Sequence, residues 1–187
     1  YNTGRLVCLD TRTNEIKWQQ DDLVGELGTD KQGIFTLFVD RDNDIWMYSP
    51  LGIWVYNPEQ EKWLSWLTNI IKRRSHNMVR AVSQDKQGRI WIGTDQDGID
   101  ILDKKTGEVR QLRNKAGDER SLQNNTVMVL YEDSSETMWV GTYKKGISYF
   151  NECAFKFGAE YIGDISCIEE DKEGYVWLLS LIHISEP

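Results

Sequence analysis

Short apolar stretches that alternate with polar residues recur along the chain, and turn residues separate them. In the clearest stretch, MVRAVSQ is followed by a DKQG turn, RIWIGT, a DQDG connection, IDILD, a KKTG turn and EVRQLR. Period-two alternation with β-branched and aromatic content predicts a strand in each apolar piece. No stretch shows a helical stripe, so an all-β chain is expected. Strands this short, joined by tight turns in sets of four, cannot bury both faces as an isolated sheet, but sheets stacked face to face can.

The pattern repeats. Aligning on Trp superimposes IFTLFVDRDNDIWMYSPLGIWVYN (34–57), MVRAVSQDKQGRIWIGTDQDGIDILD (78–103), VMVLYEDSSETMWVGTYKKGISYFN (127–151) and ISCIEEDKEGYVWLLS (165–180). Trp46, Trp91, Trp139 and Trp177 each follow an Asp by six positions (Asp40, Asp85, Asp133, Asp171), and Gly52, Gly98 and Gly146 lie six or seven beyond the first three Trp. The Trp spacings of 45, 48 and 38 residues fall in or near the window of four-stranded propeller blades, about 40–50 residues. LVCLDTRTNEI (6–16) matches IDILDKKTGEV (99–109), so the chain opens halfway through another copy. The expected fold is a β-propeller fragment of about four blades' worth of four-stranded antiparallel sheets. It divides into a half blade at 1–18, blades at about 34–67, 78–113 and 127–157, and a half blade at 165–178.

If the first strand of a blade is innermost, the A-to-B and C-to-D turns share one face, and the B-to-C loops and blade crossings share the other. Each recurrent Asp is then expected to accept backbone N–H groups in its A-to-B turn. Each Trp is expected to pack between neighbouring sheets rather than stack on a sugar. DQDGIDILDKKTG, with its four aspartates, resembles a calcium loop at first sight. The winding instead puts Asp95 and Asp97 in a B-to-C loop, Asp100 within strand C and Asp103 at the opposite face, too dispersed for one ion. No metal and no other cofactor is expected.

Composition narrows the class. With 40% hydrophobic and 28% charged residues and eight Trp, the chain suits a packed core rather than a bilayer, and no run of eighteen apolar residues appears. A net charge of −8, with KRR at 72–74 as the densest basic cluster, argues against nucleic-acid binding. Cys8, Cys153 and Cys167 lack metal or disulfide spacing and are expected to be free, mostly buried thiols. Tyr1 is not an initiator Met, and a segment of a longer protein is expected. The final LSLIHISEP (179–187) resembles the translation of a transposase sequencing adapter. It is set aside as an expected assembly artefact, which removes His183 from functional argument.

An apolar strand, then ED or QD, a turn, IWIGT or MWVGT, three variable residues, G-I and a D-x-x-T-G turn resemble the two-component regulator propeller repeat. SLQNNTVMVLYEDSSETMWVGTYKKGISYFN (121–151) is similar to the periplasmic sensor regions of hybrid two-component histidine kinases of Bacteroidetes. The resemblance implies seven-bladed propellers, with a second propeller of the same chain as an expected partner, followed outside these residues by an immunoglobulin-like domain, a membrane helix and a histidine kinase. It also implies a homodimeric receptor in the full-length protein. WMYSPLG at 46–52 and WLLS at 177–180 depart from W-x-G-T. An open arc of a larger ring is expected, although a four-bladed closure is formally possible.

Function is expected where the repeat fails to repeat. The B-to-C loops read SPLG, DQDG and YKKG, and the crossings add WLSWLTN with IIKRRSHN, then NKAGDERSLQNN. A rigid scaffold carries a recognition surface in this way. Trp63, Trp66 and Tyr143 are candidates to stack on sugar rings, and His76, Asn77, Asp95, Asp97, Asn124, Asn125 and Lys144 to bond hydroxyls or charged groups. The favoured reading is a sensor for an oligosaccharide or other small ligand. The alternatives are a secreted propeller lyase or glycosidase, for which His76 is the one credible imidazole, and a protein-binding scaffold.

Overall fold

The computed structural model describes residues 5–21, 35–49, 52–74, 78–151, 156–160 and 163–181. These fall into two compact units, residues 1–35 and 36–187. The first holds the hairpin β1 (Arg5–Leu9) and β2 (Ile16–Asp21). Its turn repeats that of residues 103–108. Asp10 N–H donates to the Glu15 carbonyl at 2.9 Å, as Asp103 N–H does to Glu108, and Asn14 takes a positive φ of 59° where its counterpart Gly107 has 74°.

In the second unit, three sheets are antiparallel meanders in chain order. They are β3 (Thr36–Val39) to β6 (Lys62–Trp63), with β4 (Ile45–Ser49) and β5 (Gly52–Asn57) between. Next come β7 (Val79–Gln84), β8 (Ile90–Thr94), β9 (Ile99–Leu102) and β10 (Val109–Leu112), then β11 (Val127–Glu132), β12 (Met138–Thr142), β13 (Gly146–Asn151) and β14 (Lys156–Glu160). The hairpin of β15 (Asp164–Glu170) and β16 (Val176–Leu181) follows, so the first residues of the LSLIHISEP segment lie in strand register. These sheets are whole and partial blades, and the described strands close no barrel.

Apolar side chains of successive sheets meet between the blades. Trp46, Val55, Val82 and Ile92 belong to one buried cluster, Trp91, Val127 and Val140 to the next, and Ile147, Ile165 and Ile168 to a third. Trp46 and Trp91 are almost fully buried (0% and 1% exposed), whereas Trp177, on a sheet with two described strands, is 66% exposed. Gly93 shows how tightly blades approach. A Cβ there would come within 2.6 Å of Val127 on the next blade, so the W-x-G-T glycine keeps room for the neighbouring sheet.

The Asp–Trp spacing has a bonded cause. One carboxylate oxygen of Asp133 accepts the Ser135 and Thr137 backbone N–H groups, both at 2.9 Å, and the other accepts the Trp139 indole N–H at 2.7 Å. Asp40, Asp85 and Asp171 hold Trp46, Trp91 and Trp177 likewise, at 2.8, 2.7 and 2.7 Å. Six residues is the separation at which an Asx turn brings the second strand's indole back over the carboxylate. The Asx turns were expected, but the indole bond was not.

Two expectations are corrected. Residues 65–74 form a helix, α1 (Ser65–Arg74), which packs on β5 and buries Leu67 and Ile71. WLSWLTNII has apolar residues three and four apart, a stripe hidden because both flanking positions are apolar too. Trp63 ends β6 as an outer-strand residue, tilted against Tyr56 at 5.1 Å. Cys8 and Cys167 are free but exposed, on outward positions of two-stranded sheets; Cys153 lies outside the described residues.

Candidate functional site

The two complete B-to-C loops share one backbone. Thr94 and Thr142 each donate their hydroxyl to a loop carbonyl, Gly98 and Gly146, at 2.9 Å. Gln96 and Lys144 take positive φ (79° and 57°), as do Gly98 and Gly146 (79° and 73°). On this common frame the first loop displays Asp95, Gln96 and Asp97 and the second Tyr143, Lys144 and Lys145. Gly98 serves twice, because a Cβ there would collide with the Leu112 carbonyl in addition to straining the backbone.

Each loop is also stitched to its surroundings. Asp95 pairs with Arg80 at 2.8 Å and accepts the Thr126 hydroxyl at 3.2 Å. Asp97 pairs with Arg113 at 2.8 Å, while the Asn125 carbonyl accepts Gly98 N–H at 2.8 Å. Asn125 also accepts Asn114 N–H at 2.7 Å, and Asn124 donates to the Tyr143 carbonyl at 2.7 Å. Lys144 N–H donates to Asp164 at 2.6 Å, and its ammonium lies 4.9 Å from the Tyr143 ring centroid. Hydrogen bonding to Tyr143 pushes the Lys144 ammonium above its ordinary value.

The structure therefore joins Asp95, Asp97, Asn124, Asn125, Tyr143 and Lys144 through loop and crossing contacts. The four Asp and Asn side chains are engaged in holding the loops and crossing, and Tyr143, 42% exposed, presents its ring to solvent. Trp66 is also exposed (49%), but it rides on α1 and is not in this bonded set. His76 and Asn77 lie outside the described residues. Arg80, Arg113 and Thr126 escaped the sequence reading, although Thr126 sits one position before strand A, a signal visible in the repeat register.

The aspartates of DQDGIDILDKKTG go to separate partners, since Asp100 accepts from Gln111 at 2.9 Å within the sheet and Asp103 caps its turn. A different acidic group does converge. Asp40, Asp42 and Asp44 bring carboxylate oxygens within 4.8 Å of one another, and Lys104 from the next blade's C-to-D turn places its ammonium 2.6, 2.8 and 2.7 Å from them. Burial alone pulls that ammonium down, but bonds to the three carboxylates push it well up. The Lys104 bond, with its charge, in turn holds the Asp42 carboxyl below the usual range. The protein supplies its own cation here.

The fold and the loops together define a propeller-like frame that repeats while its B-to-C loops differ. The sequence model described as two component regulator propeller matches residues 74–96 and 121–144. These two segments resemble two-component regulator propeller repeats. No curated protein matches the sequence. Among solved structures, the extracellular domain assigned to hybrid two component system BT3049 of B. thetaiotaomicron is 25% identical over 76% of this chain and 20% of that one, with a TM-score of 0.59. The corresponding domain of BT4673 is 19% identical over 79% and 20%, with a TM-score of 0.51. Virginiamycin B lyase of Staphylococcus aureus is 11% identical over 95% and 57%, with a TM-score of 0.66; the likenesses to BT4673 and to the lyase are of fold alone. The chain spans about a fifth of the BT3049 domain. Among the described residues no helix is long and apolar enough to cross a membrane.

Proposed function

We propose that these blades belong to the periplasmic, ligand-sensing propeller region of a hybrid two-component histidine kinase. In this reading the region detects glycan-derived oligosaccharides, and a homodimeric receptor relays the signal across the membrane. The observation that carries the proposal is the pair of B-to-C loops, alike in backbone and bonding but presenting Asp-Gln-Asp on one blade and Tyr-Lys-Lys on the next. A packing role would keep the side chains alike, as it does for the Asp–Trp pair. The match of two segments to the regulator propeller repeat and the likeness to the extracellular domains of two B. thetaiotaomicron hybrid two component systems support the sensor class. The remaining blades of a seven-bladed ring, and a second propeller, complete the proposed architecture.

Tyr143 is the residue on this face best placed to stack on a sugar, since its ring is exposed while its backbone is held by Thr126 at 3.0 Å. Thermal-shift screening of the complete extracytoplasmic region against an oligosaccharide panel is expected to reveal a stabilising sugar. Tyr143→Ala should then weaken its binding roughly tenfold, the size of one lost aromatic contact. A panel in which no sugar shifts the melting temperature would remove the sensor reading.

A further inference from the structure

Beside the B-to-C face, a cavity of about 360 Å³ opens between β10, the crossing that follows it and β13. Its size lies within the range of small-ligand sites, about 300–1,000 Å³. Arg110, Arg113, Lys115 and Arg120 line it, against one acidic residue, Asp118. This is a local cationic excess on a chain whose net charge is −8. Arg113 is paired with Asp97, but Arg110, Lys115 and Arg120 form no ion pair with a described carboxylate. Asp118 turns back on its own loop, where it accepts Arg120 N–H at 3.0 Å.

The walls are preorganised. Asn114 donates to the Leu122 carbonyl at 2.6 Å, Lys115 N–H to Ser121 Oγ at 2.9 Å, and Ser121 Oγ to the Asp118 carbonyl at 2.7 Å. The lining also includes buried Leu122 and the Phe150 ring, which is tilted against Trp91 at 5.7 Å. A fixed backbone lowers the ordering cost of binding. Guanidinium groups without carboxylate partners, next to an apolar wall, suit a sugar ring bearing a carboxylate or sulfate.

We propose that this cavity is a binding site for the anionic group of an acidic oligosaccharide. The inference rests on the sensor reading for its choice of sugars and deepens it by assigning ligand charge and a place outside the loop tips.

The test is calorimetric titration of the 187-residue chain with a tetragalacturonate, a sulfated heparin tetrasaccharide and neutral cellotetraose, at low and high salt. At least one anionic oligomer should bind, more weakly as salt rises, and cellotetraose should not. The carboxylated and sulfated arms identify which group is recognised. Arg110→Gln and Arg120→Gln, each on an exposed side chain, should each weaken binding about tenfold, the equivalent of one charge-assisted contact. Lys172→Gln, outside the cavity, should leave it unchanged. Equal affinity for cellotetraose, or affinity indifferent to both Arg changes, overturns the site while leaving the sensor reading standing. Binding of no oligomer overturns the site, while the sensor reading is decided separately by the oligosaccharide panel on the complete extracytoplasmic region.

Discussion

At the scale of the residue, one carboxylate per blade does two jobs. Asp133 satisfies the N–H groups of its turn and anchors the indole of Trp139, whose ring also tilts against Tyr149 at 5.3 Å. Trp139→Phe keeps an aromatic ring but leaves a buried carboxylate oxygen without its donor. Loss of a hydrogen bond to a charged group should cost about 1.5–3 kcal/mol, read as a lower urea midpoint. A variant within roughly 0.5 kcal/mol of the parent, the scatter of neutral surface changes, would show that the indole bond is incidental. The sequence displayed the spacing of this pair and the Asx role of its Asp, but not the bond, because spacing along a chain does not show which way a side chain returns.

Between elements, a second series of bonds joins each blade to the next. The backbone N–H following each Asp is accepted by the side chain preceding the next blade's Asp: Arg41 by Gln84 at 2.8 Å, Lys86 by Glu132 at 2.9 Å and Ser134 by Glu170 at 2.8 Å. Burial raises the Glu132 carboxyl above its ordinary value, only partly offset by the bond from Lys86. The folded state therefore holds a proton that the unfolded chain has released, and stability from this group falls as pH rises from about the ordinary 4.5 through the higher folded value. Glu132→Gln preserves the acceptor, as Gln84 does naturally, and removes the charge. Its melting temperature at pH 7 should match or exceed the parent's, with a flatter profile above pH 4.5. A variant that melts lower at pH 7 and keeps the parental slope would contradict this assignment. The helix α1 is the element that strand periodicity hid, since its stripe emerges only when Leu67 and Ile71 are seen packed into the core.

At the largest scale, the blades of the second unit are held by apolar contact between sheets and by Lys104. Its side chain is 11% exposed, and those of Asp40 and Asp44 are 0% and 5% exposed. Lys104→Met would leave these carboxylates facing one another without a counter-charge. Breaking a buried ion pair from one side costs about 3–5 kcal/mol, so the guanidinium midpoint should fall sharply. Exposed Lys105→Met should stay within about 0.5 kcal/mol of the parent. Equal effects of the two changes would mean that Lys104 carries no special burden. The raised Lys104 value implies stability present below the ordinary 10.5 and lost as pH rises through the higher folded value. The lowered Asp42 value implies stability present above 3.8 and lost as pH falls through its folded value. The clasp therefore holds throughout the neutral range.

The sequence by itself determined the strands, their repeat, the Asx turns and the inter-sheet place of Trp46 and Trp91, because each follows from local periodicity or from recurrence once per blade. It also set apart the B-to-C loops, through unlike side chains at equivalent positions. Only the tertiary structure decided that Asp95 and Asp97 are tied to Arg80 and Arg113, that Asn124 and Asn125 hold neighbouring loops, and that Lys104 rather than a neighbour in sequence neutralises Asp40, Asp42 and Asp44. These partners come from other strands or blades, up to 64 residues away in the chain. Long side chains bridge gaps that exist only after the sheets stack, so no local pattern encodes which charges meet.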